Sequence, residues 1–151
     1  MFHRAIDLQF QDGTIIEVTF LNGEVKSYDM SNLFIKYPQL MALQNRDLFL
    51  SGKLMGSYGI VWNDELDIET ETIYEEGKII RIDEVPAGYL VGEAVCAARA
   101  RAGMSQMELA KATGIDQSDI SKIERGVANP SVSTLNRIAK ALGANLSISI
   151  A

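Results

Sequence analysis

Apolar and polar positions alternate with period two at the start of the chain and with period 3.6 towards its end, and this change of rhythm divides it. Alternation runs through Ala5-Ile6-Asp7-Leu8-Gln9-Phe10 and again through residues 14–20. Asp12-Gly13 and Asn22-Gly23 punctuate these runs, and such dipeptides favour the tight turns of hairpins. Together with residues 24–28 they predict a three-strand antiparallel meander. Ser31 is expected to cap a short helix running to Tyr37, and Pro38 suits the first turn of the next. Further short strands are expected around Lys53-Leu54, at 59–62 and at 66–68, with a helical turn or two over 69–75. Residues 78–82 read equally as a strand or a connector. Asp83-Glu84-Val85-Pro86-Ala87-Gly88 has the punctuation of a linker.

Beyond Tyr89 alanine becomes frequent and the pattern turns helical. A first helix is predicted over 92–102, stopping near Gly103. Ser105 with Glu108 three residues later forms a capping box for a second helix. Asp116, with Asp119 three residues on, is expected to cap a third, which Gly126 ends. A fourth spans 132–142 and closes at Gly143, and the alternating tail 145–150 reads as a strand. The fold class is thus an α+β N-terminal module over 1–77, a linker over 78–88, and an all-α helix-turn-helix domain over 89–151.

The helix-turn-helix reading rests on Gln106 to Arg125, QMELAKATGIDQSDISKIER. Two helices crossing steeply need a small residue where backbones approach, and Ala110 supplies it. Gly114 suits a turn that demands positive φ. Ile115, Ile120 and Ile123 are spaced to bury against the first helix, leaving Gln117, Ser118, Asp119, Ser121 and Lys122 facing outward.

Residues 92–143 closely resemble the lambda-repressor-like DNA-binding domain of the Cro and xenobiotic-response-element type. The resemblance is carried by Ser105-Gln106, Glu108-Leu109-Ala110, Gly114-Ile115, Ile120-Ser121, Ile123-Glu124-Arg125-Gly126, Asn129-Pro130, Leu135 and Ile138-Ala139-Lys140-Ala141-Leu142-Gly143. It implies a compact bundle of four or five helices, acting as a dimer on palindromic operators. It also implies that Gln106 donates to a DNA phosphate, and that Arg125 and Asn129 lie where backbone contacts are usual. The N-terminal module resembles a small family of bacterial domains of unknown function through Asp12-Gly13, Phe20-x-Asn22-Gly23-Glu24, Tyr28-Asp29, Val61-Trp62 and Leu66-Asp67-Ile68. The tail LGANLSISI is similar to those of antitoxin-like regulators.

Side-chain chemistry adds to this. A glutamine amide at 117 can pair with the N6 and N7 edge of adenine, and Ser118 can serve several bases. Ser121 lies one turn on, as does Lys122, which reaches either guanine or a phosphate. Asp119 either accepts from a cytosine amino group or partners Asp116 in a cap. Arg125 is either a phosphate contact or a solvated cation favouring the helix dipole.

The overall charge of −6 conceals a split. Residues 1–85 hold 7 Lys+Arg against 15 Asp+Glu, whereas residues 86–151 hold 7 against 5. An acidic module is joined to a mildly basic one, the asymmetry of a chain whose basic part meets nucleic acid. A net of +2 is modest, so a homodimer is expected on double-stranded DNA. The single Cys96, expected to pack between helices, excludes an internal disulfide framework, and with only His3 beside it a structural zinc site is not expected. No cofactor is expected. No apolar run approaches the roughly 20 residues of a membrane span, and the N-terminus lacks a secretory layout, so a cytoplasmic location is expected. His3 has no evident nucleophile to serve and no phosphate-binding glycine loop is present, so an enzyme is not expected. Trp62, Tyr28, Tyr58 and Phe49 are expected as core aromatics, with Arg99, Arg101 and Lys111 as surface charge. Two functional classes follow: a dimeric repressor reading the major groove with 116–124, or an antitoxin-like protein whose N-terminal module binds a partner protein while the helix-turn-helix regulates its own operon. A small-molecule sensor would need a cavity beside Trp62.

Overall fold

The computed structural model describes residues 2–151. The chain folds as two compact units, the first ending at Val85 and the second spanning 86–151.

In the first unit, β1 (Ala5–Phe10), β2 (Ile15–Phe20) and β3 (Glu24–Asp29) form the expected meander. Each hairpin turn places a glycine at positive φ, Gly13 at 64° and Gly23 at 92°, where a side chain would be strained. After Asp29 the chain makes two short 3-10 turns, Met30–Leu33 and Pro38–Gln44, and helix α1 (Arg46–Leu50). A second antiparallel sheet follows, made of β4 (Lys53–Met55), β5 (Gly59–Asn63) and β6 (Leu66–Glu69). Helix α2 (Thr70–Glu76) then leads into β7 (Lys78–Ile82).

Strand β7 pairs antiparallel with β3, giving a four-stranded sheet in the order β1-β2-β3-β7. The connector expected over 78–88 is therefore shorter, because its first five residues complete the ladder that β3 offers on its far side. The cap of the first 3-10 turn also differs from expectation. Asp29, not Ser31, is the cap, its carboxylate accepting from the Ser31 amide at 2.9 Å and from the Thr14 hydroxyl at 2.6 Å.

The core of this unit lies on the inner face of the larger sheet. Ile16, Val18 and Phe20 alternate inward from β2 and meet Leu40, Leu43, Phe49, Ile60 and Ile73. Trp62 is buried and its indole N–H donates to the Phe49 carbonyl at 2.9 Å. Trp62, Tyr28 and Phe49 are core aromatics as expected, but Tyr58 is not: it stands half exposed in the loop before β5.

The second unit is helical, with α3 (Ala87–Arg101), α4 (Gln106–Thr113), α5 (Gln117–Glu124) and α6 (Val132–Ala141). Helix α3 begins five residues before the expected 92, because Pro86 at its N-cap suits a helix start and two glycines beyond it sit at a crossing rather than a break. Val95, Leu109, Ile120, Ile123 and Ile138 form its core. Cys96 is half-buried rather than fully packed. The tail 145–150 is not a strand: among the described residues it has no ladder partner, and alternation alone does not hold an isolated strand in water.

Candidate nucleic-acid interface

The geometry of the helix-turn-helix follows from a few local determinants. The Ser105 hydroxyl accepts from the Glu108 amide at 3.0 Å, and the Glu108 carboxylate accepts from the Ser105 amide at 3.1 Å. This reciprocal box fixes where α4 begins. Its end is set by Gly114 at φ 75°, in the left-handed region. The buried Thr113 hydroxyl donates to the Leu109 carbonyl at 2.7 Å and accepts from the Ile115 amide at 3.3 Å, which ties the turn to α4. Leu109 and Ile120 are fully buried, so the two helices close over a shared apolar seam.

Helix α5 starts differently from expectation. Asp116 is its N-cap residue, but the carboxylate makes no capping bond. The Asp116 carbonyl closes the first turn instead, accepting from the amides of Asp119 and Ile120. The expected partnership of Asp116 and Asp119 is thus absent. Both carboxylates are at solvent, where their charge favours the helix N-terminus.

The expected DNA-contacting residues divide by position. Gln106 and Gln117 are the first residues of α4 and α5, and the Gln117 amide donates to the Gln106 side-chain carbonyl at 2.8 Å. The Gln106 amide in turn reaches Glu124 at 3.4 Å. Ser118, Asp119 and Lys122 are exposed on α5, and Ser121 is partly covered. Arg125 caps the end of α5, and its guanidinium turns back to the Ser121 carbonyl at 3.3 Å. Asn129 is exposed in the loop before α6, where it borders a shallow hollow with Asp116, Asp119 and Arg137.

One structural support of α5 escaped the sequence reading. Arg99 is not surface charge: its guanidinium grips the Glu124 carboxylate with bonds of 2.8 to 3.1 Å and also donates to the Met104 carbonyl at 2.8 Å. The bond to Glu124 raises the guanidinium above the ordinary arginine range. Glu124 follows Ile123 and lies four residues after Ile120, so its place beside the buried stripe of α5 is the signal that marks it as inward-facing. Helix α3 and the end of α5 also approach very closely. A Cβ on Gly92 would lie 2.5 Å from the Ile123 carbonyl oxygen, and Gly126, at φ 79°, is packed against Tyr89. The outward face of α5 is thereby fixed from behind by a crossing only glycine permits.

Among the described residues, no group of three or more His, Cys, Asp or Glu is arranged to hold a metal ion. No described helix is long and apolar enough to cross a membrane.

Comparison with known proteins agrees with this division. Residues 97–148 match the family described as helix-turn-helix, and residues 5–78 match the protein family of unknown function DUF2442. No curated protein matches the chain. Among solved structures, the clp gene regulator ClgR from C. glutamicum is 30% identical over 44% of this chain and 85% of its own, with a TM-score of 0.42. The restriction-modification controller protein C.AhdI from Aeromonas hydrophila is 30% identical over 40% of this chain and 92% of its own, with a TM-score of 0.39. The putative DNA-binding protein NE0471 from Nitrosomonas europaea is 18% identical over 91% of this chain and 85% of its own, with a TM-score of 0.42. By these family matches, residues 97–148 belong to the helix-turn-helix family and residues 5–78 to the DUF2442 family.

Proposed function

We propose that the protein is a dimeric transcriptional repressor of the cytoplasm that reads double-stranded DNA with α5 in the major groove. The observation that carries this reading is the Gln106–Gln117 pair, two exposed or partly exposed amides bonded at the adjoining N-termini of α4 and α5. Helix N-termini favour phosphate, and a glutamine whose rotamer is already fixed loses less entropy when it meets a base edge. In this reading Gln106 serves a phosphate, Gln117 and Ser118 read base edges, and Ser121 and Lys122 extend the contact along the groove. Arg125 and Asn129 meet the backbone beyond it. Asp119 accepts from cytosine or merely tolerates the groove. The modest charge of the helical unit calls for two copies, with recognition helices about 34–36 Å apart. Hydroxyl-radical footprinting on the DNA upstream of the gene tests this. Two protected patches one helical turn apart are expected; uniform or absent protection counts against it.

The acidic N-terminal unit supports a second role beside DNA reading, that of an antitoxin-like module that binds a partner protein while the helix-turn-helix regulates the operon. The observation favouring it is the set of large apolar side chains this unit leaves at solvent, Phe2, Ile35, Met41, Met55 and Tyr58.

A further inference from the structure

Two hollows adjoin on the N-terminal unit and share one residue, Glu69. The first, about 390 Å³, lies between Leu33, Tyr37 and Leu40 on one side and Asp67, Ile68 and Thr72 on the other. The second, about 310 Å³, is walled by the aromatic rings of Phe2 and Tyr58 and by Glu71. The aromatic groups lining them are open to solvent: Phe2 is 65% exposed, Tyr58 50% and Tyr37 39%. Phe2 and Tyr58 hold each other edge to face, with ring centroids 6.3 Å apart.

The charges on this face are uneven in a way that selects a ligand. Glu71 is occupied, its carboxylate accepting from the backbone and ring of His3 at 2.8 and 2.9 Å. Asp67 and Glu69 stand exposed on β6, and no hydrogen bond or ion pair engages either side chain among the described residues. Two cations of this unit have partners other than these carboxylates: Lys36 lies over the Tyr37 ring at 5.3 Å, and Arg4 donates to Ser57 at 3.1 Å.

We propose that this face is a docking site for an extended, cationic segment of a partner protein, in which apolar side chains enter the two hollows and an arginine or lysine between them meets Asp67 and Glu69. Charge decides among occupants. A unit with 15 acidic against 7 basic residues repels nucleic acid and anionic membranes. A second copy of the same face would set carboxylate against carboxylate. Aromatic and aliphatic anchors beside unpaired carboxylates instead match the composition of a protein interface whose partner is basic.

The proposal rests on the reading of the N-terminal unit as a partner-binding module. It is tested by titrating the isotope-labelled full chain with a synthetic peptide alternating leucine and arginine while amide shifts are followed. Two control peptides carry glutamate for arginine and serine for leucine. Saturable shifts at Tyr37, Tyr58 and Glu69 with the first peptide only are expected. Asp67→Asn combined with Glu69→Gln should weaken binding about tenfold or more, as should Tyr58→Ser, a change at a half-exposed ring that lines the second hollow. Shifts that do not saturate, that spread over other acidic surfaces, or that survive these substitutions would overturn it. Because the readout is confined to the first unit, failure here leaves DNA binding untouched, and failure of DNA binding leaves this result standing.

Discussion

Arg99 on α3 clasps Glu124 at the end of α5 through both carboxylate oxygens, with the arginine side chain 20% and the glutamate 5% exposed. The pair stands directly behind the helix whose outer face carries Gln117 and Ser118, and Gln106 bonds to the same carboxylate. It therefore links the packing of the helical unit to the posture of the outer face of α5, the surface proposed to read DNA. Charges taken this far out of water cost several kcal/mol each, and only their mutual bonds offset that. Arg99→Ala should destabilise the helical unit by about 3 kcal/mol, the low end of the usual range because the arginine keeps some water. Replacing both partners with apolar residues of similar size should recover much of the loss. Thermal melts followed by helical circular dichroism check both statements.

The crossing at Gly92 yields a second prediction. Its virtual Cβ meets the Ile123 and Glu124 carbonyl oxygens at 2.5 and 2.7 Å, and backbone cannot step aside as a side chain can. Gly92→Ala should therefore lower stability by about 1–3 kcal/mol despite the better helix propensity of alanine. It should also weaken DNA binding, because α5 is displaced. Unchanged melting would mean that the helices separate more freely than this crossing implies.

The sole tryptophan gives the N-terminal unit its own reporter. A Cβ on Gly52 would lie 2.4 Å from the Trp62 ring nitrogen, in the space the indole needs to reach the Phe49 carbonyl. Gly52→Ala should shift Trp62 emission to longer wavelength and lower the denaturant midpoint read at that wavelength. DNA affinity, which belongs to the other unit, should not change.

Alkaline pH should loosen the same unit through Tyr28. Burial, followed by the charge and hydrogen bond of Glu76, pushes its hydroxyl from an ordinary 10.0 up to about 12. The unfolded chain gives up this proton first, so the stabilisation is complete below pH 10 and is lost as pH rises through about 12. Trp62-monitored unfolding should show stability falling across that window, and Tyr28→Phe should flatten the fall.

Much of this fold is written locally. Ser105 and Glu108 bond only within one turn, Gly114 needs only its own φ, and the alternation of β2 reports the one face that is buried. Each is readable because the determinant and its partner lie within a few residues. What was not readable depends on distant partners. Arg99 and Glu124 are 25 residues apart, and an arginine on an alanine-rich helix looks solvated until α5 is packed beside it. Residues 78–82 become a strand only because β3 has a free edge, whereas the equally alternating tail meets no ladder among the described residues. At the starts of α4 and α5 the sequence singled out Gln106 and Gln117 as candidates, yet not the bond between them. It also paired Asp116 with Asp119, where the Asp116 backbone carbonyl closes the turn alone.

The central claim is that the first turn of α5 reads DNA. The direct test is fluorescence anisotropy of the full chain on duplex DNA from upstream of its gene, against random duplex, over a salt titration and beside a Gln117→Ala variant. Tight binding that weakens steeply with salt is expected, with a loss of about 1–3 kcal/mol of sequence discrimination in the variant and an unchanged salt slope. Equal affinity for both duplexes, or a variant that discriminates as well as the parent, would contradict it.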